Sequence, residues 1–452
     1  MTGLSGSLNL RMPRYTPPVG DSQRAAIQRD YLEFLAGVAG HCGDIGTYLR
    51  DGKPAVLINS PELARALLID QAGKVTKGEL QHTAFRDLLG ESISLSEGER
   101  HRMLRRLLAP LFTHRQVTRY ADRIVGTAAA FCATWPHGGT MDLFDELHRL
   151  TLHTLGRTLI AEPQLSDEHG PFWCDRELLW KWISGHAGRG HGLASKAATG
   201  QASAFTAAIA RVQATVDQVI ARRLRGAASP PADLLGDILA ANQSAGFPLR
   251  LPEVRDQVLA LLFAAHETSA CALFWSLFLL SRHPSLQQTL ECELDAVLGG
   301  RLPTAHDAAV LPRTAQVLKE AMRLYPPAGR QFRVTAKPST LGTHPIPAGT
   351  PVTVCQYLLH RREDSFPDAS RFDPQRFATA APPRHPMAYV PFGAGDRICL
   401  GRHYALLETQ LLLALLAARF RFVFPDPVPP QLAITLRPRG HVQVQVHRRG
   451  MG

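Results

Sequence analysis

A metal-binding thiolate needs a cysteine whose negative charge is supported by nearby donors. Cys399 stands in such a setting, within Phe392-Gly393-Ala394-Gly395-Asp396-Arg397-Ile398-Cys399-Leu400-Gly401. The glycines let backbone N–H groups turn toward the sulfur with no Cβ in the way. A helix is expected over residues 399–418, so that its N-terminal dipole favours negative charge at the sulfur. The spacing Phe-x-x-Gly-x-Arg-x-Cys-x-Gly arises by chance on the order of 10⁻⁴ times in a chain of this composition. The bland alternative is a small buried hydrophobe in a Gly-rich loop.

A second chemical signal is Ala264-Ala265-His266-Glu267-Thr268-Ser269, midway along an apolar stretch. An acid and a hydroxyl inside such a stretch are costly unless they have partners or a task. Proton handling is one task; a back-bonded Thr268 and an outward-facing Glu267 form the alternative. His266 reads as structural. Glu320-x-x-Arg323 sets opposite charges on one helix face, a pairing that Glu97/Arg100 and Glu99/Arg102 share. The run from Glu99 to Arg106 is strongly basic, and His101 and Arg105 are neighbours at i and i+4. Taken singly, each of these basic residues has a solvated surface charge as its alternative.

The elements that must position these groups are mostly helical. Residues 252–281 predict a long helix, roughly 45 Å at 1.5 Å per residue, apolar nearly all round and therefore central. Further helices are expected over 21–38, 62–69, 97–112, 115–135, 141–160, 167–182, 201–224, 284–298 and 313–325. Asp51-Gly52 between two apolar runs predicts a hairpin. Residues 184–200 hold five glycines and read as a flexible loop. Short β segments are expected at 352–357 and 425–446.

Composition narrows the class. The chain has 452 residues, 45% of them hydrophobic, ample for a well-buried core. Length alone suggests about three domains. The formal net charge of +11 is spread singly and in pairs, which argues against a nucleic-acid patch. Seven cysteines without a CxxC pair exclude a disulfide framework and a structural zinc site, and fit a reducing cytoplasm. No signal peptide or transmembrane anchor is expected, because the strictly apolar runs are short.

The Cys399 segment, the Glu267-Thr268 stretch and the Glu320/Arg323 pair, in this order and spacing, resemble the cytochrome P-450 family of haem-thiolate monooxygenases, in its soluble bacterial form. The resemblance runs from the Asp51-Gly52 hairpin to near the C-terminus. It implies a mainly α fold with minor β (α+β), one domain over residues 1–452, and a flexible segment at 1–20. Haem b would lie between the long central helix and the Cys loop, with Cys399 as the axial iron ligand. Phe392, Arg397 and Gly401 would frame it. His101, Arg105, Arg397 and Arg333 (the last in Phe332-Arg333-Val334) would meet its propionates. Thr268 would hold water at the oxygen site and Glu267 would help deliver protons. Glu320, Arg323 and Arg376, the last in Phe372-Asp373-Pro374-Gln375-Arg376-Phe377, would form a buried fold-locking network. Ala264, Ala265 and Ala328 would line the substrate pocket, with residues 78–95, 171–195 and 328–332. Arg330 would meet a substrate carboxylate or sit at the surface.

The implied reaction inserts one atom of O2 into an apolar small molecule, by C–H hydroxylation or epoxidation. Electrons would come from NAD(P)H through a reductase and a ferredoxin or flavodoxin, docked on a basic face holding Arg105, Arg106 and Arg402. A peroxide-driven peroxygenase or isomerase and a non-enzymatic haem-binding protein are the rival readings. The strings Arg323-Leu324-Tyr325-Pro326-Pro327 and His266-Glu267-Thr268-Ser269 resemble the branch with fatty-acid and terpenoid hydroxylases, which implies a biosynthetic role. Two departures stand out: Ala265 replaces the family's usual glycine, and the basic helix has no tryptophan.

Overall fold

The computed structural model describes residues 12–17, 22–50, 52–78, 85–188, 199–225, 233–382 and 384–450. Most of the segment 1–20 lies outside these residues, as do Asp51 and residues 189–198 of the expected flexible loop. The central element is the helix Leu251–Ser281, buried on most of its circumference. It is long and apolar enough to cross a membrane by length and composition, but 78% of its most apolar window is buried inside the protein. Helices Leu143–Thr154, Pro312–Leu324, Arg402–Arg419 and Thr199–Arg225 all pack on it. Fully buried Trp275 and Phe274 anchor this core.

The β structure is small and flanks the helices. β1 (Ile45–Arg50) and β2 (Lys53–Ile58) form the expected hairpin, with Ile45 opposite Ile58. β3 (Val75–Thr76), β5 (Gln331–Thr335) and β8 (Pro351–Val354) complete a sheet of order β1-β2-β8-β5-β3. β4 (Gly139–Asp142), β12 (Gln443–Arg448) and β9 (Phe420–Val423) form a second sheet. β6 (Ser339–Leu341) pairs with β7 (His344–Ile346), and β10 (Pro430–Leu432) with β11 (Leu436–Pro438).

Several helix limits differ from expectation, for local reasons. The periodic run 21–38 is two helices, Gln23–Arg29 and Tyr31–Cys42. Asp30 is extended and its carboxylate accepts from the N–H groups of Leu32 and Glu33, which starts a new helix there. The run 115–135 divides into His114–Thr118 and Ala121–Cys132; the Thr118 hydroxyl donates to the His114 carbonyl at 2.7 Å and competes for it. Pro171–Gly188 stays helical past the glycine at 185, where a loop was expected. The last helix begins at Arg402, three residues beyond Cys399, which therefore does not open it.

Candidate active site

Two adjoining cavities of about 210 Å³ and 420 Å³ lie between the central helix and the Cys399 loop. Ala264, Thr268, Arg397 and Cys399 border both, so they form one continuous slot. Ligand sites commonly span about 300–1,000 Å³, a range that the two cavities together reach. Its walls are mostly apolar, among them Phe85, Leu89, Trp180 and Phe263.

Cys399 reaches the slot because its loop is tightly fixed. Its N–H donates to the Phe392 carbonyl at 2.9 Å, closing an eight-residue stretch of sequence on itself. At Gly395 φ is +66°, and an added Cβ would lie 2.1 Å from the Leu68 carbonyl oxygen; only glycine fits. The Cys399 side chain is exposed, but onto the cavity. Burial raises its thiol pKa, while a backbone hydrogen bond from Gly401 and the charges of Arg105 and Arg402 pull it down. Gly401, the N-cap of the last helix, lines the smaller cavity and Phe392 the larger.

One edge of the slot is crowded with cations. Arg397 donates to the Ser96 carbonyl at 2.6 Å and pairs with Glu97. Arg105 donates to the Ile398 carbonyl at 2.9 Å. Arg333 donates to the Phe332 carbonyl at 2.8 Å and to Gln331 Oε1 at 3.2 Å. Lys77, which nothing in the surrounding sequence marks, donates to the Ser94 carbonyl and borders both cavities. Burial, then the charges of Arg397 and Arg333, hold Lys77 down at about 7. Arg333 is lowered to about 10 by burial and by Arg397. His101 is pushed to about 4, chiefly by burial, and is neutral near pH 7. Cations that depress one another in this way are short of anions, and Glu97 and Asp396 do not balance Lys77, Arg105, Arg333 and Arg397.

On the opposite wall, Thr268 borders both cavities. Its hydroxyl donates back to the Ala264 carbonyl at 2.8 Å, so its lone pairs are free to accept. Ala264 borders both cavities, Ala265 the smaller and Ala328 the larger. Glu267 is buried but borders neither; Oε1 accepts from the Thr435 hydroxyl and Oε2 has no partner among the described residues. Burial raises its pKa. His266 is buried with Nδ1 2.9 Å from the Leu262 carbonyl, a structural placement. Glu408, which sequence reasoning passed over, is a buried acid in the last helix. It accepts from Ser269 at 2.6 Å and Tyr404 at 3.0 Å, and burial lifts its pKa to about 7. The rule that singled out Glu267, an acid inside an apolar run, would have found it.

Glu320 and Arg323 are fully buried and paired twice, Nε to Oε2 at 2.7 Å and Nη2 to Oε1 at 2.8 Å. Arg376 Nε lies 3.4 Å from Glu320 Oε1. This group stands apart from the cavities.

The sequence model of the cytochrome P-450 family matches residues 12–445. A cyclooctat-9-en-7-ol 5-monooxygenase of Streptomyces melanosporofaciens is 34% identical over 92% of this chain and 89% of its own. A pentalenene oxygenase of Streptomyces avermitilis is 30% identical over 94% and 95%. The crystal structure of the cytochrome P450DA heme domain superposes with a TM-score of 0.88 at 24% identity, covering 97% of this chain and 98% of that one, a likeness of fold.

Proposed function

Because this chain belongs to the cytochrome P-450 family, and is an oxygen-incorporating oxidoreductase that uses haem and O2, we propose that it oxygenates a cyclic terpenoid at a C–H bond or an alkene. The observation that carries the reading is the cysteine thiol facing a hydroxyl-bearing helix across an apolar slot. The names of the similar Streptomyces proteins, which specify a cyclic alkenol and pentalenene, supply the substrate class.

The residues fit the cofactor. A haem brings two carboxylates, and the edge formed by Lys77, Arg333 and Arg397, with His101 and Arg105, lacks anions in that number. Arg105, Arg333 and Arg397 would hold the carboxylates by charge and neutral His101 by donation, with Lys77 added to the set expected from sequence. Cys399 would supply the sulfur that holds the iron, and Gly401 N–H and the nearby arginines would stabilise its negative charge. When bound, haem supplies the redox chemistry that cleaves O2.

The protein's own part is binding, exclusion of water and proton handling. Apolar walls keep the substrate dry beside the sulfur-facing site. The Thr268 hydroxyl accepts from water and fixes its position. Glu267, held behind the helix by Thr435, is a proton reservoir whose carboxyl must turn on its side-chain torsions to serve the slot. Electrons come from NAD(P)H through a separate reductase and a ferredoxin or flavodoxin.

The deciding measurement is the absorption spectrum of the reduced protein under carbon monoxide. A strongly red-shifted Soret band, absent in Cys399→Ser, is expected. A band typical of histidine ligation would make Cys399 a structural residue and end the proposal.

A further inference from the structure

Besides the cation edge, the larger cavity has a second polar stretch. Arg330 and Gln356 both border it. They are brought together through Gly329, whose carbonyl accepts from the Tyr357 N–H at 3.1 Å and from the Cys355 thiol at 3.4 Å. Gln356 is fully buried, and neither its Nε2 nor its Oε1 has a partner among the described residues. A buried amide left unpaired costs several times what a formed hydrogen bond contributes, so such groups normally have an occupant.

Arg330 shows the same shortage. Nη2 donates to the Ala433 carbonyl at 3.2 Å, and the guanidinium lies 5.1 Å from the Tyr31 ring centre. Among the described residues its buried Nε has no partner, and no carboxylate pairs with the side chain. A purely structural strut between the residue preceding β5 and the β10–β11 turn would use the one bond to Ala433 and needs no cation. A hydrocarbon substrate would leave the remaining donors desolvated.

We infer that Arg330 and Gln356 form a polar subsite that binds an oxygen function, hydroxyl or carboxylate, already present on the apolar substrate. Arg330 donates to that oxygen, while Gln356 can donate or accept. The subsite orients the molecule with its oxygenated end against β5 and its hydrocarbon end toward Cys399. The reaction then follows an earlier step that oxygenates, hydrates or hydrolyses the same carbon skeleton. This rests on the monooxygenase reading above and narrows its substrate class.

The test uses the haem-loaded protein and a matched series: dodecane, dodecanol and dodecanoate. Binding is followed by the change in the ferric Soret band. In the wild type the two oxygenated probes are expected to bind at least tenfold tighter than the alkane. Arg330→Met should remove most of that preference and leave alkane binding within twofold. Arg330→Lys should keep a preference for the carboxylate, because a point charge remains. Gln356→Leu should weaken alcohol binding more than alkane binding. Each variant must first show the wild-type carbon monoxide band, which separates a failure of folding or of haem ligation from a failure of the subsite. Equal binding of the three probes, no binding of any, or a preference that survives Arg330→Met overturns the inference.

Discussion

At the scale of single residues, the clearest signals are groups placed where their chemistry is expensive. Thr268 sits in an apolar wall with its proton given to Ala264, which leaves acceptors for water. Thr268→Ala keeps the helix and loses that water site. Product formed per O2 consumed is then expected to fall about tenfold or more, with hydrogen peroxide released instead. Measuring O2, peroxide and product together checks this, and an unchanged ratio removes Thr268 from the mechanism. Glu408 permits a second test. Its folded pKa of about 7 is above the ordinary 4.5, so the folded protein binds more protons than the unfolded chain between those values. Stability from this group is therefore greatest below about pH 4.5 and is lost as pH rises through 7, on the order of 3 kcal/mol in all. Glu408→Gln, which keeps a side-chain oxygen for Ser269 and Tyr404, should be more stable relative to wild type at pH 8 than at pH 5. Parallel denaturation curves at both pH values measure it; a pH-independent difference refutes it. The Cys399 loop was legible in sequence because five fixed residue types coincide there. Lys77 was not, because only the fold brings it between Arg397 and Arg333.

At the scale of elements, sequence periodicity found the helices and misplaced their ends. Asp30 shows why: its capping carboxylate is a local event within an uninterrupted periodic pattern. The start of the last helix was misplaced because Leu400 and Gly401 form a turn whose only cue is one glycine. The Glu320/Arg323 pairing was foreseen from i, i+3 spacing, but that spacing also occurs at Glu99 and Arg102, an exposed pair. Burial distinguishes them. Arg323 also donates to the carbonyls of His360, Ala369 and Arg371, so it ties its helix to the segment that carries Arg376. Removing one partner leaves an uncompensated buried charge. Glu320→Ala is expected to cost roughly 3–5 kcal/mol and to depress the yield of haem-loaded protein. Glu99→Ala, at an exposed pair, should leave stability almost unchanged. Denaturant midpoints of the two variants, measured side by side, check the contrast. Replacing Glu320 and Arg323 together by apolar residues should not restore stability, because three carbonyls would then lose their donor.

At the scale of the whole molecule, the net charge of +11 has a direction to act in. The basic helix Gly98–Leu108 and the Cys399 loop meet where Arg105 donates to the Ile398 carbonyl. The charges of Arg105 and Arg402 both reach Cys399 from this junction. Three arginines were named for a docking face from sequence, and their placements differ. Arg105 is half-buried and committed to Ile398, so it serves the loop more than a partner. Arg402 is half-buried, and Arg106 is exposed. Arg102, also exposed, is paired with Glu99 and so offers less net charge. An acidic ferredoxin would be drawn to this face over a distance set by the Debye length, about 10 Å at 0.1 M salt. The rate of reduction should therefore fall several-fold as ionic strength rises from about 0.05 M to about 0.5 M, mainly through association. Arg106→Glu should slow reduction at the low end and converge with wild type at the high end, with its carbon monoxide band unchanged. Stopped-flow reduction by a purified acidic ferredoxin reads both effects. A rate that ignores salt, or an Arg106→Glu defect that persists undiminished at high salt, would place the docking surface elsewhere and leave the basic helix with the haem edge as its sole charge.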